Sequence, residues 1–267
     1  MNGYKQSGDI IDEAERLRLI GLTANEVSRE RLGNLAAKGF APDRILDAGC
    51  GTGDAFGLLQ EIFPNASITG LDQSEGAVRV SQQRGIAVDV LVGDIIGTKN
   101  NKKLQQLGPF DLVFIRNTLL HIKDIDKAVS SMTGQLDKHG VLFIQEPDWD
   151  FADANWDDFQ VFKRSIMSAM ASHGINPTVG KDIEESVSKQ GLSDVDSRIH
   201  EHRTSTQDAD WLVIEALLEV SKNLIAESLK TNGVESVDDM VERVRAAQKD
   251  PDLFFDNPAW VTVVGTK

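Results

Sequence analysis

Over residues 9–39 apolar side chains fall at Ile10, Ala14 and Leu17 and then at Val27, Leu32, Leu35 and Ala36, with charged positions between them. That spacing predicts a helical prelude, closed by Gly39 and Pro42. From Arg44 the period changes. Short β-type runs, Arg44-Ile-Leu-Asp47, Ser67-Ile-Thr-Gly-Leu-Asp72, Val88-Asp-Val-Leu-Val92, Phe110-Asp-Leu-Val-Phe-Ile115 and Gly140-Val-Leu-Phe-Ile-Gln145, alternate with helix-like stretches at 54–63, 74–84 and 124–136. Strands separated by helices cannot be hairpins, so the pattern predicts right-handed βαβ crossovers: a doubly wound α/β core with a mostly parallel sheet covered on both faces.

After Pro147 the alternation stops. Residues 153–172 carry a helical stripe of Trp156, Phe159, Phe162, Ile166, Met167 and Met170, the spacing of ordinary core packing. A candidate strand at 195–203 leads to a second stripe over 207–230, through Trp211, Ile214, Leu217, Leu218, Leu224 and Ile225, and then to a helical piece at 237–249. A β-branched run, Ala259-Trp-Val-Thr-Val-Val-Gly265, follows. We therefore expect an N-terminal helical cover over 1–43 and one α/β domain over 44–267, with helical lid insertions at about 151–191 and 204–256.

Composition narrows the chemistry. The 267 residues include 40% hydrophobic positions, enough for a substantial core. No apolar run has the length of a membrane span and the start carries no hydrophobic signal region, so a soluble cytoplasmic protein is expected. One cysteine, Cys50, precludes an intrachain disulfide and a Cys-rich zinc site. A net charge of -14 with no basic patch argues against nucleic acid as partner.

The candidate site begins at Asp47-Ala-Gly-Cys-Gly-Thr-Gly53, which puts glycines at every second position between a strand and a helix, where a doubly wound sheet holds its ligand. A dinucleotide loop would carry a third glycine where this chain has Asp54, a carboxylate that would repel a pyrophosphate at the helix N-terminus. Asp72 ends the second strand, where a carboxylate can hold a ribose diol, and Asp94 follows the third, placed to accept from an exocyclic amine. Together these describe adenosine without a phosphate. On Leu46-Asp-Ala-Gly-Cys-Gly-Thr-Gly53, Gly70-Leu-Asp72, Gly93-Asp94, Phe110-Asp-Leu-Val-Phe114, Leu119-Leu-His-Ile-Lys-Asp124 and Gly140-Val-Leu-Phe-Ile-Gln-Glu146, the chain resembles the class I S-adenosylmethionine-dependent methyltransferases, most closely their small-molecule branch. The resemblance implies a Rossmann-like, seven-stranded sheet with an antiparallel last strand, to which 259–265 corresponds.

The resemblance also implies roles. Gly49, Gly51 and Gly53 pack under the methionine half of S-adenosylmethionine, Asp47 orders the loop or meets the cofactor amine, Asp72 binds the ribose, Gln73 lies along the adenine, Asp94 meets its amine and Ile95 offers a backbone amide. Arg116 and Asn117 sit near the methionine carboxylate. His121, after the fourth strand, is a candidate base for the acceptor's proton or else a structural residue. Glu146 and Asp148 are expected at the pocket mouth, to orient an amine, accept a proton or cap a helix. Tyr4, Trp149 and Trp156, with His121, Glu146 and Asp148, complete the expected pocket for a small organic acceptor; His173 is a weaker candidate. No metal site is expected, and oligomeric state is not encoded legibly. The reaction expected is transfer of methyl to oxygen or nitrogen; the alternatives are a different reaction on the same cofactor fold and a non-catalytic cofactor-binding subunit.

Overall fold

The computed structural model describes residues 7–267 apart from 87, 209, 210, 212, 213, 215–217, 219 and 220; at 7–20, 22 and 88 it describes the backbone alone. Tyr4 and Leu217 thus lie outside the described residues. The prelude is one helix, α1 (Ser7–Ala37). The alternating segment folds as β1 (Arg44–Ala48), α2 (Phe56–Ile62), β2 (Ser67–Asp72), α3 (Glu75–Gln82), β3 (Val88–Val92), α4 (Lys102–Leu107), β4 (Phe110–Arg116), α5 (Ile125–Thr133) and β5 (Leu136–Asp148). Then come β6 (Asp153–Ala154), α6 (Asp157–Ser172), α7 (Gly180–Ser188), β7 (Ser193–His200), β8 (Arg203–Ser205), α8 (Lys222–Thr231), α9 (Val237–Ala247), β9 (Phe254–Asp256) and β10 (Ala259–Thr266).

Among the described residues the main sheet has seven strands in the order β3-β2-β1-β4-β5-β10-β7. Strands β1 to β5 pair in parallel, and β10 runs antiparallel to both neighbours. The last strand is therefore antiparallel, and it lies inside the sheet with β7 beyond it. The central strands are buried on both faces, as a parallel sheet under helices requires. Along β4 and β5, Leu112, Phe114, Val141 and Phe143 join one core with Leu32 of α1 and Phe56 and Leu59 of α2. The alternate residues Val113, Ile115, Leu142 and Ile144 join the opposite core with α5 to α9. Phe114 and Phe143 stack across the strand pair with centroids 5.1 Å apart.

Three features depart from the sequence pattern. The stretch at 99–103, which reads as a polar turn, opens α4, whose first turn is capped by Asn101 accepting from the Leu104 amide at 3.1 Å. Helix α7, unmarked by a long apolar stripe, packs between α5 and the sheet through Ile183 and Val187. A second sheet, β6-β9-β8, is made of strands of two or three residues, too short for periodicity to register. The stripe at 153–172 is core: Phe159, Phe162, Ile166 and Met170 are buried, and Phe159 stacks on Phe255 while Trp156 meets Trp211. No helix among the described residues is long and apolar enough to cross a membrane.

Candidate active site

The glycine loop leaves β1 in a conformation open to few side chains. Gly49, Gly51 and Gly53 have φ of 78°, 53° and 80°, values glycine adopts at little steric cost. The loop is tied back to β2 by the Gly49 and Cys50 amides, both donating to the Leu71 carbonyl at 2.7 and 3.1 Å. A Cβ at Gly49 would stand 2.3 Å from the Thr118 side chain. Gly49→Ala is accordingly expected to cost about 2–4 kcal/mol from left-handed strain and overpacking. Gly57→Ala, whose Cβ would meet nothing within 4 Å on α2, is the control and should be neutral or slightly stabilising. Denaturant midpoints of the two variants check this.

Asp47, the fourth residue of β1, has the same parity as Ile45, which faces α1 and α2. It is 2% exposed, and its Oδ2 has no hydrogen-bond partner among the described residues. Burial pushes its pKa up to about 7, against the pull of the Arg116 charge, with Asp72 and Asp54 adding to the rise. Arg116, at the end of β4, is half-buried and donates from Nη1 to Asn25 Oδ1 of α1 at 2.7 Å and to Ser28 Oγ at 3.4 Å. Burial lowers its pKa while Asp47 and Asp54 raise it. Gln145 lies beside Arg116 in the β4–β5 register and also meets α1, accepting from Ser28 Oγ at 2.5 Å and donating to the Ala24 carbonyl at 3.0 Å. A buried carboxylate with one oxygen unpartnered among the described residues, within electrostatic reach of a guanidinium, offers one anion and one cation, the complement of an α-amino acid zwitterion.

Asp72 is half-buried at the end of β2, its Oδ2 accepting from the Gly51 amide at 2.9 Å and its Oδ1 from the Ser74 amide at 2.8 Å. Burial raises its pKa and these two amides lower it. One lone pair on each oxygen remains for a ligand. Gln73 is exposed beside it. Asp94 is exposed, with Oδ1 accepting from the Ile96 amide at 2.8 Å, and Ile95 is buried. Val92, 48% exposed, pairs with Asp72 across β2 and β3, an apolar surface that strand-end reasoning passed over.

After β4, Asn117 has φ of 53° and turns the chain into the 3₁₀ turn Leu119–His121. His121 is half-buried there. Glu146 and Asp148 need correcting: neither opens on a pocket mouth. Glu146 is 0% exposed, and its oxygens accept from the amides of Thr118 and Leu119, both at 2.7 Å, and of Leu120 at 3.4 Å. Burial raises its pKa to about 7 and the three amides pull it down. Asp148 is 1% exposed and accepts from the amides of Asp150 at 3.0 Å and Lys181 at 3.1 Å, capping the turn 149–151 and meeting the first turn of α7. Glu146 and Asp148 continue the series Leu142, Ile144, which faces the α5–α9 core. Trp149 is half-buried, edge-on to Phe162 with centroids 6.1 Å apart, and Trp156 is half-buried against Trp211. His173 is exposed at the end of α6.

Sequence reasoning also missed Thr118, whose Oγ1 contacts the Gly49 carbonyl at 3.3 Å, and Arg84, which grips the far end of the loop through the Thr52 carbonyl at 2.5 Å and an ion pair to Asp54. Both contacts join segments at least 30 residues apart, beyond the reach of local pattern. No group of three or more His, Cys, Asp or Glu among the described residues could hold a metal ion.

Comparison with known proteins identifies the family and the fold. A model of the methyltransferase domain matches residues 41–216. The chain belongs to this family, within the class I S-adenosylmethionine-dependent methyltransferases. Trans-aconitate 2-methyltransferase of Yersinia pestis is 31% identical over 108 residues, 40% of each chain, so the match spans less than half of that relative. The YcgJ protein of Bacillus subtilis shares the fold with a TM-score of 0.56 at 16% identity, over 88% of this chain and 97% of that one. The plantazolicin methyltransferase BpumL, in complex with a pentazolic desmethylPZN analogue and S-adenosylhomocysteine, has a TM-score of 0.51 at 15% identity over 93% and 86% of the two chains.

Proposed function

We propose that this protein transfers the methyl group of S-adenosylmethionine to an oxygen or nitrogen of a small organic acceptor. The observation that carries the reading is the orphaned Asp47 Oδ2 beside Arg116, under a loop with no room for a Cβ at Gly49. Asp47 would take the cofactor's ammonium and Arg116 its carboxylate. Asp72 would hold the ribose hydroxyls, and Asp94, Ile95 and Gln73 would line the adenine beside Val92. The sulfonium supplies a methyl group already activated for displacement, so the chain's work is to align the acceptor in line, exclude water and take a proton where the acceptor holds one. His121, on the turn that follows Thr118, would take that proton; Trp149 and Trp156 would favour an apolar or ring-bearing acceptor.

S-adenosylhomocysteine and S-adenosylmethionine are expected to raise the melting temperature, while NAD and ATP leave it unchanged. Because Asp47 is raised to about 7, it is ionised above that pH and protonated below. Calorimetric affinity for S-adenosylhomocysteine should therefore weaken as pH falls through 7, by at most tenfold per unit. Stabilisation by NAD alone would overturn the reading. Labelled S-adenosylmethionine with a panel of phenols, amines and carboxylic acids, trans-aconitate among them, then identifies the acceptor by added methyl mass.

A further inference from the structure

The Glu146 carboxylate has no role in the cofactor cradle, and its burial keeps it from an acceptor. It is aimed from β5 at the backbone after β4, accepting from the consecutive amides of Thr118, Leu119 and Leu120. The same turn is closed by the His121 amide donating to the Thr118 carbonyl at 3.0 Å, and held outside by the Asn176 amide donating to the Leu120 carbonyl at 2.8 Å. Thr118 reaches in the other direction, to Arg116 and Gly49 carbonyls at 2.9 and 3.3 Å. One buried side chain thus fixes the backbone that carries His121 and the wall that meets the glycine loop.

We infer that Glu146 is a positioning residue for methyl transfer: it orients His121 and the Thr118–Gly49 contact through three backbone amides and exchanges no proton with the acceptor. The inference rests on the methyl-transfer reading of the site. It separates from a base role because the two need different features of the side chain. Positioning needs an acceptor oxygen at the right reach, which glutamine keeps at Oε1 for Thr118 and Leu119 and aspartate, one methylene shorter, withdraws. A base needs the carboxylate, which aspartate keeps and glutamine lacks.

The test compares Glu146→Gln and Glu146→Asp, each below its own melting temperature. The first readout is the imidazole resonance of His121 in protein labelled with ¹³C-histidine, assigned by its loss in His121→Ala and requiring no acceptor. The second is turnover with the acceptor found in the panel, at saturating S-adenosylmethionine. Expected is a His121 resonance and a turnover within about threefold of wild type for glutamine. For aspartate the resonance shifts and turnover at saturating S-adenosylmethionine falls by about ten- to a hundredfold, the scale of a misplacement near 1 Å. The opposite order, with glutamine losing 10²–10⁴ as a lost base does, overturns the inference, as does wild-type behaviour in both variants. If aspartate does not fold, the glutamine variant decides alone: retained turnover supports positioning and lost turnover overturns it. Absence of S-adenosylhomocysteine binding by the wild type would sink the proposed function while the resonance comparison still decides the role of Glu146.

Discussion

His121→Ala is expected to lower turnover by about 10²–10⁴, the usual contribution of a positioned base, while S-adenosylhomocysteine affinity measured by calorimetry stays within about threefold. The separation follows from the architecture. His121 sits on the 3₁₀ turn after β4, whereas the proposed cofactor cradle takes its groups from the ends of β1, β2 and β3 and from Arg116. A base must be neutral, so wild-type turnover at saturating cofactor should fall on the acid side, and the variant should lack that limb. Saturation matters because protonation of Asp47, whose pKa burial pushes up to about 7, would independently weaken the proposed cofactor binding in the same direction. The acceptor used must hold its proton at the assay pH; an already ionised phenol would hide the effect. A variant that loses cofactor affinity and melting temperature together would make His121 structural, and turnover within about threefold of wild type would leave alignment alone as the mechanism.

Asp72→Ala is expected to weaken S-adenosylhomocysteine binding by roughly ten- to several hundredfold, through two charge-assisted hydrogen bonds worth about 1.5–3 kcal/mol each and less than additive. The carboxylate has a second task, since it accepts from the Gly51 and Ser74 amides and so joins the glycine loop to the start of α3. Its removal should therefore also lower the melting temperature of the ligand-free protein. Asp72→Asn, which retains one carbonyl acceptor, should recover part of that stability and less of the affinity. Unchanged affinity in the alanine variant would place the ribose contact elsewhere.

The architecture was legible because each helix and strand of the core declares itself over a few neighbouring residues. Periods of two and of three to four set β1 to β5 and the helices α2, α3 and α5, while α4 was hidden by the polar stretch at 99–103. Crossover handedness then left few orders for the strands. Where the local signal is weak the reading faltered: α7 has no long stripe, and the strands of β6-β9-β8 are shorter than one alternation can reveal.

At the site, the amino-acid sequence by itself determined which chemistry stands at each strand end: glycines where φ is positive, and carboxylates at 47, 72 and 94. It could not say what those groups face. Whether a carboxylate is open or enclosed depends on strands far away in the chain, and pairing β5 beside β4 is what delivers the amides of 118–120 to Glu146. The same pairing sets Arg116 beside Gln145, both reaching α1, while Asp47 is buried with its Oδ2 unpartnered among the described residues. Tertiary structure alone decided these, because desolvation and hydrogen-bond satisfaction are properties of the packed neighbourhood, while period and residue type are properties of the chain.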